Sequence, residues 1–255
     1  MERESAGRLT AETPARFFTQ GGIQVPAVTA EQMRELDRIA TEETGPNLFQ
    51  MMENAGRNLA LLAMAVLGDK WISARIVVLA GGGGGNGGGG ICAARHLANR
   101  GIDVRLCVVE PDDLKEVPAF QRKIFRSTSG REVGAAALSA EPVDLILDGL
   151  IGYGLRSAPR SPVAELIRWA NGTGAPILAL DVPSGLDATT GGTPGDCIQP
   201  HSTMTLALPK TGLLPQRTGQ LFLADIGIPV QTYRRLGLSY VNPFAKDFWM
   251  PLTCR

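Results

Sequence analysis

Positions 81–90 hold nine glycines around a single asparagine, Asn86, and no other stretch of the chain restricts the fold so strongly. The run follows Arg75-Ile76-Val77-Val78-Leu79-Ala80, whose apolar density reads as a buried strand, and precedes an apolar helix through Ile91 to Asn99. A flexible linker rarely joins a core strand directly to an apolar helix. Glycine in that position brings backbone amides close to a ligand, and a helix N-terminus favours anions. The run therefore predicts a βα junction of the nucleotide-binding kind. It also accounts for much of the excess of glycine, 31 of 255 residues.

The rest of the chain repeats the same grammar. Asp103–Val109, Asp144–Asp148, Pro176–Asp181, Thr203–Leu208 and Gln220–Ala224 read as further strands, and helices are expected over Leu114–Thr128 and Val163–Trp169. Ahead of them, Thr29 with Gln32 forms a capping-box pattern for a helix through Met33, Leu36 and Ile39, broken at Gly45-Pro46. A second helix runs from Asn47 to about Leu67, with Gly56 predicting a close neighbour. Strand alternating with helix implies an α/β fold: a Rossmann-like three-layer α/β/α sandwich with a mostly parallel central sheet. Residues 1–27 read as a loosely held N-terminal extension, 28–237 as the domain, and 238–255 as a C-terminal extension whose aromatics pack on the body or on a second subunit.

Several function classes drop out. The 25 basic and 25 acidic side chains cancel, which gives no broad footprint for nucleic acid. Nothing approaches 18 consecutive apolar residues, and the charged start Met1-Glu2-Arg3-Glu4-Ser5 is not a secretory signal, so neither a membrane span nor export is expected. Cys92, Cys107, Cys197 and Cys254 are widely spaced and read as idle thiols of a reducing cytoplasm; with only His96 and His201, no zinc cluster is expected. No Gly-Lys-Ser/Thr follows the glycine run, which excludes a Walker A loop.

Ligands of open parallel sheets bind beyond the carboxyl ends of the strands. Those ends present Asn86, Asp148 and Asp181-Val182-Pro183-Ser184-Gly185-Leu186-Asp187, an oxygen-rich set suited to a hard cation, although each aspartate alone also reads as a cap or turn residue. Glu110 closes the second strand where a ribose-binding acid of an ordinary NAD-dependent enzyme would stand. Lys210 reads either as part of the same rim or as an exposed lysine in a turn. His96 and Met51-Met52 read as packing residues, while Glu53-Asn54 is a polar pair that either faces the site or does not.

Five motifs in order carry a family resemblance: Met52-Glu53-Asn54-Ala55-Gly56; Asn86-Gly87-Gly88 with Ala94-Arg95-His96-Leu97; Asp148-Gly149-Leu150-Ile151-Gly152-Tyr153-Gly154-Leu155; Asp181 to Asp187; and Asp225-Ile226-Gly227-Ile228-Pro229. From about Val28 to Gly237 the chain resembles the NAD(P)H-hydrate epimerases, or YjeF N-terminal domain proteins. The resemblance implies interconversion of the R and S epimers of hydrated NADH or NADPH (NAD(P)HX), damaged cofactors with a hydroxyl at C6 of the nicotinamide ring. It implies Asp181 as the catalytic aspartate, and Asn86, Asp148 and Ser184 as ligands of one K+ per subunit. It also implies a substrate lining made of Gly85, Asn86, Gly87, Gly88 and Gly89, of Gly152, Tyr153, Gly154, Leu155, Arg156, Ser157 and Ala158 around the phosphate, and of Asp181 itself. A homodimer and a separate NAD(P)H-hydrate dehydratase partner follow from the same resemblance, since 255 residues leave no room for a second catalytic domain. Where the family usually reads Asn-Asn-Gly-Gly-Asp-Gly, this chain has glycine at 85 and 89. A weakened or inactive member, serving as a nucleotide-binding or scaffold protein, is the alternative.

Overall fold

The computed structural model describes residues 15–255. In chain order the elements are β1 (Phe17–Thr19), β2 (Gln24–Val25), α1 (Ala30–Ile39), α2 (Leu48–Leu67), β3 (Arg75–Ala80), α3 (Gly85–Ala98), β4 (Asp103–Val108), α4 (Glu116–Phe125), β5 (Arg131–Glu132), β6 (Leu145–Gly149), α5 (Val163–Gly172), β7 (Ile177–Leu180), β8 (Ser202–Leu206), α6 (Pro215–Thr218), β9 (Gln220–Ala224), α7 (Val230–Arg235) and β10 (Trp249–Cys254). One ten-stranded sheet takes the order β2-β1-β10-β9-β8-β7-β6-β3-β4-β5. The strands from β3 to β9 pair in parallel, and only the edge formed by β10, β1 and β2 is antiparallel.

Strict alternation along β3 decides the layering. Ile76, Val78 and Ala80 join the larger core with α1 to α4, whereas Val77 and Leu79 join a second core with Leu166, Ile167 and Ala170 of α5. Both faces are covered, as a parallel sheet requires. The three-layer expectation is met. The chain leaves β3 to one side for β4 and later returns to its other side for β6, so the switch point lies between β3 and β6. In open α/β sheets that crevice is where ligands bind.

The helix starts follow their caps. Thr29 Oγ1 accepts from the Gln32 amide at 3.2 Å while Gln32 Oε1 accepts from the Thr29 amide at 2.9 Å, completing the expected capping box. Asn47 and Gln50 repeat the arrangement for α2. Gly56 has the neighbour its position implied: a Cβ there would stand 2.4 Å from Cys92 Cβ and 2.7 Å from the Gly89 carbonyl, so α2 and α3 touch backbone to backbone.

Three expectations need correction. The helix after the glycine run begins at Gly85 instead of Ile91, leaving only Gly81–Gly84 as loop. Glycine is a poor helix former, but here helical packing overrides propensity, because α3 lies against α2, Gly81 and Gly149 too closely for side chains. The strand expected over Thr203–Leu208 stops at Leu206, since Ala207 turns to a φ of 61°. Finally, the two extensions are built into the sheet: β10 pairs with β9 and β1, and β1 with β2. Of the stretch read as loosely held, residues 1–14 lie outside the described residues. Among the aromatics of the C-terminal segment, Tyr240 and Phe244 are buried and the Trp249 ring stands edge-on to Phe222 at 5.6 Å, whereas Phe248 is exposed.

Candidate functional site

A cavity of about 610 Å³ opens at the switch point, within the usual range for small-molecule sites. Its floor is made by the strand ends: Gly83 to Gly87 after β3, Leu150 to Gly154 after β6, Asp181 after β7, and Leu206 with Lys210 after β8. Its other wall is one face of α1 carrying Arg34, Asp37 and Arg38, backed by Met51 and Met52 of α2.

Asp181 stands where β7 ends, with its backbone at a φ of 67°, a left-handed conformation that a non-glycine residue adopts only where its surroundings impose it. Its amide donates to Met204 O at 2.7 Å, and this bond across to β8 fixes the turn. The two carboxylate oxygens are in different circumstances. Oδ1 accepts from the Lys210 ammonium, from the Leu206 amide at 3.2 Å and, weakly, from Thr205 Oγ1 at 3.5 Å. Among the described residues Oδ2 accepts only the Tyr153 amide, at 3.3 Å, and it faces the bare side of Gly152. The saturated oxygen holds the group in place while the other is free to exchange a proton with a ligand.

Lys210 is fully buried, and besides Asp181 it donates to Leu206 O at 2.9 Å. Of its two sequence readings, the rim position holds and the exposed turn does not. The lysine can stay buried because its charge is neutralised in place.

Asp148 is sealed at the end of β6, where Leu150 N (3.2 Å) and Ser184 Oγ (2.6 Å) donate to Oδ1 and Ser184 N (2.9 Å) to Oδ2. Burial pushes its carboxyl up to about 6, and no cationic side chain pairs with it among the described residues. Both polar atoms of the Asn86 side chain are shut off from solvent without a hydrogen-bond partner among the described residues. A buried amide left unsatisfied is rare. An all-oxygen set with one orphaned carbonyl and one uncompensated carboxylate fits a hard cation better than any soft metal. Asn86 and Asp181 also meet across Gly152: a Cβ there would lie 3.3 Å both from Asn86 Oδ1 and from Asp181 Oδ2.

The remaining sequence-stated positions divide. Gly85, Asn86, Gly87, Gly152, Tyr153 and Gly154 line the cavity with Asp181. Gly88 and Gly89 do not: they are buried inside α3, and a Cβ at Gly89 would meet Leu180 Cδ2 at 2.9 Å. The position therefore contacts core side chains, and its glycine removes nothing from the cavity wall. Leu155, Arg156 and Ser157 line a separate shallow depression with Asp187 and Thr190, and Ala158 packs at Gly195, because the loop turns away after Gly154. Glu110 is exposed with a φ of 50° and lies outside the cavity lining, so no ribose acid stands at the end of the second strand.

Glu53 faces away from the cavity. Its carboxylate takes Arg95 Nη2 at 2.5 Å and His96 Nε2 at 2.9 Å, with Cys92 Sγ at 3.3 Å and Gln121 Nε2 at 3.3 Å. Sequence spacing had left no metal cluster, yet Glu53, Cys92 and His96 converge here. Arg95 Nη2, 3.3 Å from both Cys92 Sγ and His96 Nε2, already supplies the positive charge between them, and the group clasps α2 to α3. Burial works to raise the Glu53 carboxyl, but the hydrogen bonds from Arg95 and His96 hold it down at about 2. Its contribution to stability is therefore present above the unfolded value of about 4.3 and is lost as pH falls towards 2. Because Glu53 is 43% exposed, the effect is screened to about 1 kcal/mol or less. Glu53→Gln is expected to lower Tm at pH 7, with the gap to wild type narrowing once the pH drops below about 4.

Asp37 is the site residue that sequence reasoning missed. It lies on the inward face of α1 and accepts the Tyr153 hydroxyl at 2.5 Å. Burial pushes its carboxyl up to about 6. In sequence it is one more acid on an amphipathic helix, and its partner lies 116 positions away.

Comparison with known proteins places the chain in a family and a fold. The profile of the YjeF-related protein N-terminus matches residues 48–212. The NAD(P)H-hydrate epimerase of Dehalogenimonas lykanthroporepellens is 49% identical over 239 residues, covering 93% of this chain and 97% of that protein. The bifunctional NAD(P)H-hydrate repair enzyme Nnr of Escherichia coli is 38% identical over 204 residues, and the match spans 39% of its length. Among solved structures, the yeast protein YNL200c shares the fold, with a TM-score of 0.78 at 20% identity over 89% of this chain and 100% of that one.

Proposed function

The chain belongs to the YjeF-related N-terminal family, and from that premise we propose that it is an NAD(P)H-hydrate epimerase, interconverting the R and S forms of NAD(P)HX. The observation that carries the reading is Asp181, a buried carboxylate with one oxygen fixed by Lys210 and the other open to the cavity. Inverting C6 means losing its hydroxyl to an iminium-like ring and adding water to the opposite face. A carboxylate at the ring can move the proton and offset the positive charge that develops. Gly83 to Gly87 bring the α3 N-terminus to the cavity edge, where the cofactor's phosphates would accept its amides. The neutral overall charge is compatible with that arrangement, since amides hold phosphate without a basic surface.

Asn86, Asp148 and Ser184 would hold one K+, which when bound supplies a fixed positive charge beside the phosphates. The orphaned Asn86 amide and the uncompensated Asp148 support this reading. A homodimer belongs to the same proposal, as does a functional link to a separate NAD(P)H-hydrate dehydratase; the longer bifunctional repair enzyme supports the link. No helix among the described residues is long and apolar enough to cross a membrane, and the four free thiols suit a cytoplasmic setting.

The decisive experiment follows the approach of purified R-NADHX to the epimeric mixture by chiral chromatography. The wild-type chain is expected to accelerate it well above the spontaneous rate; an unchanged rate overturns the proposal. Potassium is expected to raise Tm of the wild type over lithium at equal ionic strength, by RT ln(1 + [L]/Kd). Asn86→Ala is expected to abolish that difference, and a wild-type Tm indifferent to the cation would rule the metal out.

A further inference from the structure

The cavity contains a second pair of proton-carrying groups, the Tyr153 hydroxyl on the strand-end loop and Asp37 on the α1 wall. Tyr153 bridges the two acids: its amide donates to Asp181 Oδ2 at 3.3 Å and its hydroxyl to Asp37 Oδ2 at 2.5 Å. Tyr153 and Asp37 both line the cavity, and the Lys210 ammonium stands 5.9 Å from the Tyr153 ring centroid. An ordinary structural pairing would not need to be at this place. The largely buried hydroxyl is spent on a half-buried carboxylate whose charge is costly there.

Resting on the epimerase reading, we propose that the Tyr153 hydroxyl, with Asp37 behind it, is the second acid/base group of the reaction and serves the ring face opposite Asp181. Tyr153 is the catalytic residue of the pair, and Asp37 is the positioning residue that supplies its proton. Epimerisation demands proton transfer at both faces of C6, and one carboxylate on one wall serves only one of them.

The step balances without a co-reactant. In the first half, the C6–O bond breaks with its electron pair on oxygen, and the N1 lone pair forms the C6=N1 bond. The Tyr153 proton passes to the departing oxygen, giving water, while the Asp37 proton moves onto the phenolic oxygen. In the second half, a water oxygen bonds C6 from the other face, its proton goes to Asp181 Oδ2, and the C6=N1 pair returns to nitrogen. The protons on the two acids then re-equilibrate with solvent. In the opposite direction the acid and base exchange roles.

Charge around Asp37 is consistent with this. Tyr153, Lys210 and Asp181 face it from the strand ends, Tyr233 from α7, and Arg34 stands one turn away on α1. Burial is the main reason its carboxyl sits near 6, within reach of neutral pH. The first half spends the Asp37 proton, so activity should fall as pH rises through about 6. A fixed equilibrium constant requires the same limb in both directions.

The test measures kcat and KM in both directions, across pH, for the full chain and for Asp37→Asn and Tyr153→Phe. Each variant is expected to lose about 10²- to 10⁴-fold in kcat with KM nearly unchanged, and Asp37→Asn to lose the limb near pH 6. Tyr153→Phe keeps the ring and its packing, so it decides the matter if Asp37→Asn folds poorly. Full activity in a folded variant of either kind overturns the proposal, as does loss confined to KM. Asp181→Asn separates this inference from the reading beneath it. If the wild type is active and Asp181→Asn is not, while both other variants keep the full rate, only the inference fails. A wild type without epimerase activity removes both.

Discussion

Asp181→Asn is expected to lower kcat for NAD(P)HX epimerisation by about 10²- to 10⁴-fold, the span that one positioned acid/base group contributes. The amide can still accept Lys210 through its oxygen, but its NH₂ now faces the Tyr153 amide and offers no base to an incoming water. The substitution also leaves Lys210 buried without its counter-charge, and breaking one partner of such a pair costs about 3–5 kcal/mol. Lost activity must therefore be separated from lost folding. Combining Asp181→Asn with Lys210→Met removes both charges and places a side chain of similar length in the lysine's slot. The double variant is expected to recover most of the stability in urea titration while staying inactive. A single variant with wild-type kcat, or a double variant that regains activity together with stability, contradicts the role given to Asp181.

That Asp181 was visible in the sequence and Lys210 only ambiguously so has a physical cause. Asp181 ends a run of four buried apolar residues, and acids at the ends of parallel strands are placed by the strand itself. Lys210 lies beyond a strand and a turn, and whether its chain points in or out depends on the left-handed Ala207 and on the bridge between Val28 and Lys210. Neither leaves a local signature. Asp37 shows the same limit more sharply. The 3.6-residue period places Met33, Leu36 and Ile39 inward, and all three are buried; it says nothing about an acid one position beside that stripe. Its meaning comes from Tyr153, brought over it by a different part of the sheet. Strands β1 and β2 escaped notice because three and two residues carry too little alternation to stand out, and β10 because Pro251 interrupts its six-residue run.

Gly87→Ala is expected to be the most damaging single methyl group that can be added to the glycine run. A Cβ at 87 would stand 1.7 Å from the Gly81 carbonyl oxygen and 2.8 Å from its carbon, both backbone atoms with no rotamer to yield. Gly81 cannot retreat, since a Cβ on its own far side would already lie 2.1 Å from the Leu150 carbonyl and its amide is bonded to Gly149 O at 3.0 Å. Three backbones are thus stacked at the switch point: the first turn of α3, the end of β3, and the β6 loop that carries Tyr153 towards Asp181. Relief requires α3 to lift from the sheet, at the upper end of the usual cost of overpacking, about 3 kcal/mol. Because the same shift moves the α3 N-terminus and the Tyr153 loop apart, activity should fall further than the folded fraction does. Gly83 and Gly84 line the same cavity with nothing among the described residues within 4 Å of an added Cβ, so alanine there is expected to leave stability within about 0.5 kcal/mol of wild type. Urea unfolding of the three alanine variants side by side tests the point. If Gly87→Ala unfolds at the same midpoint as Gly84→Ala, the glycines are serving flexibility, and the close stacking of α3 on the two strand ends is not what shapes the site.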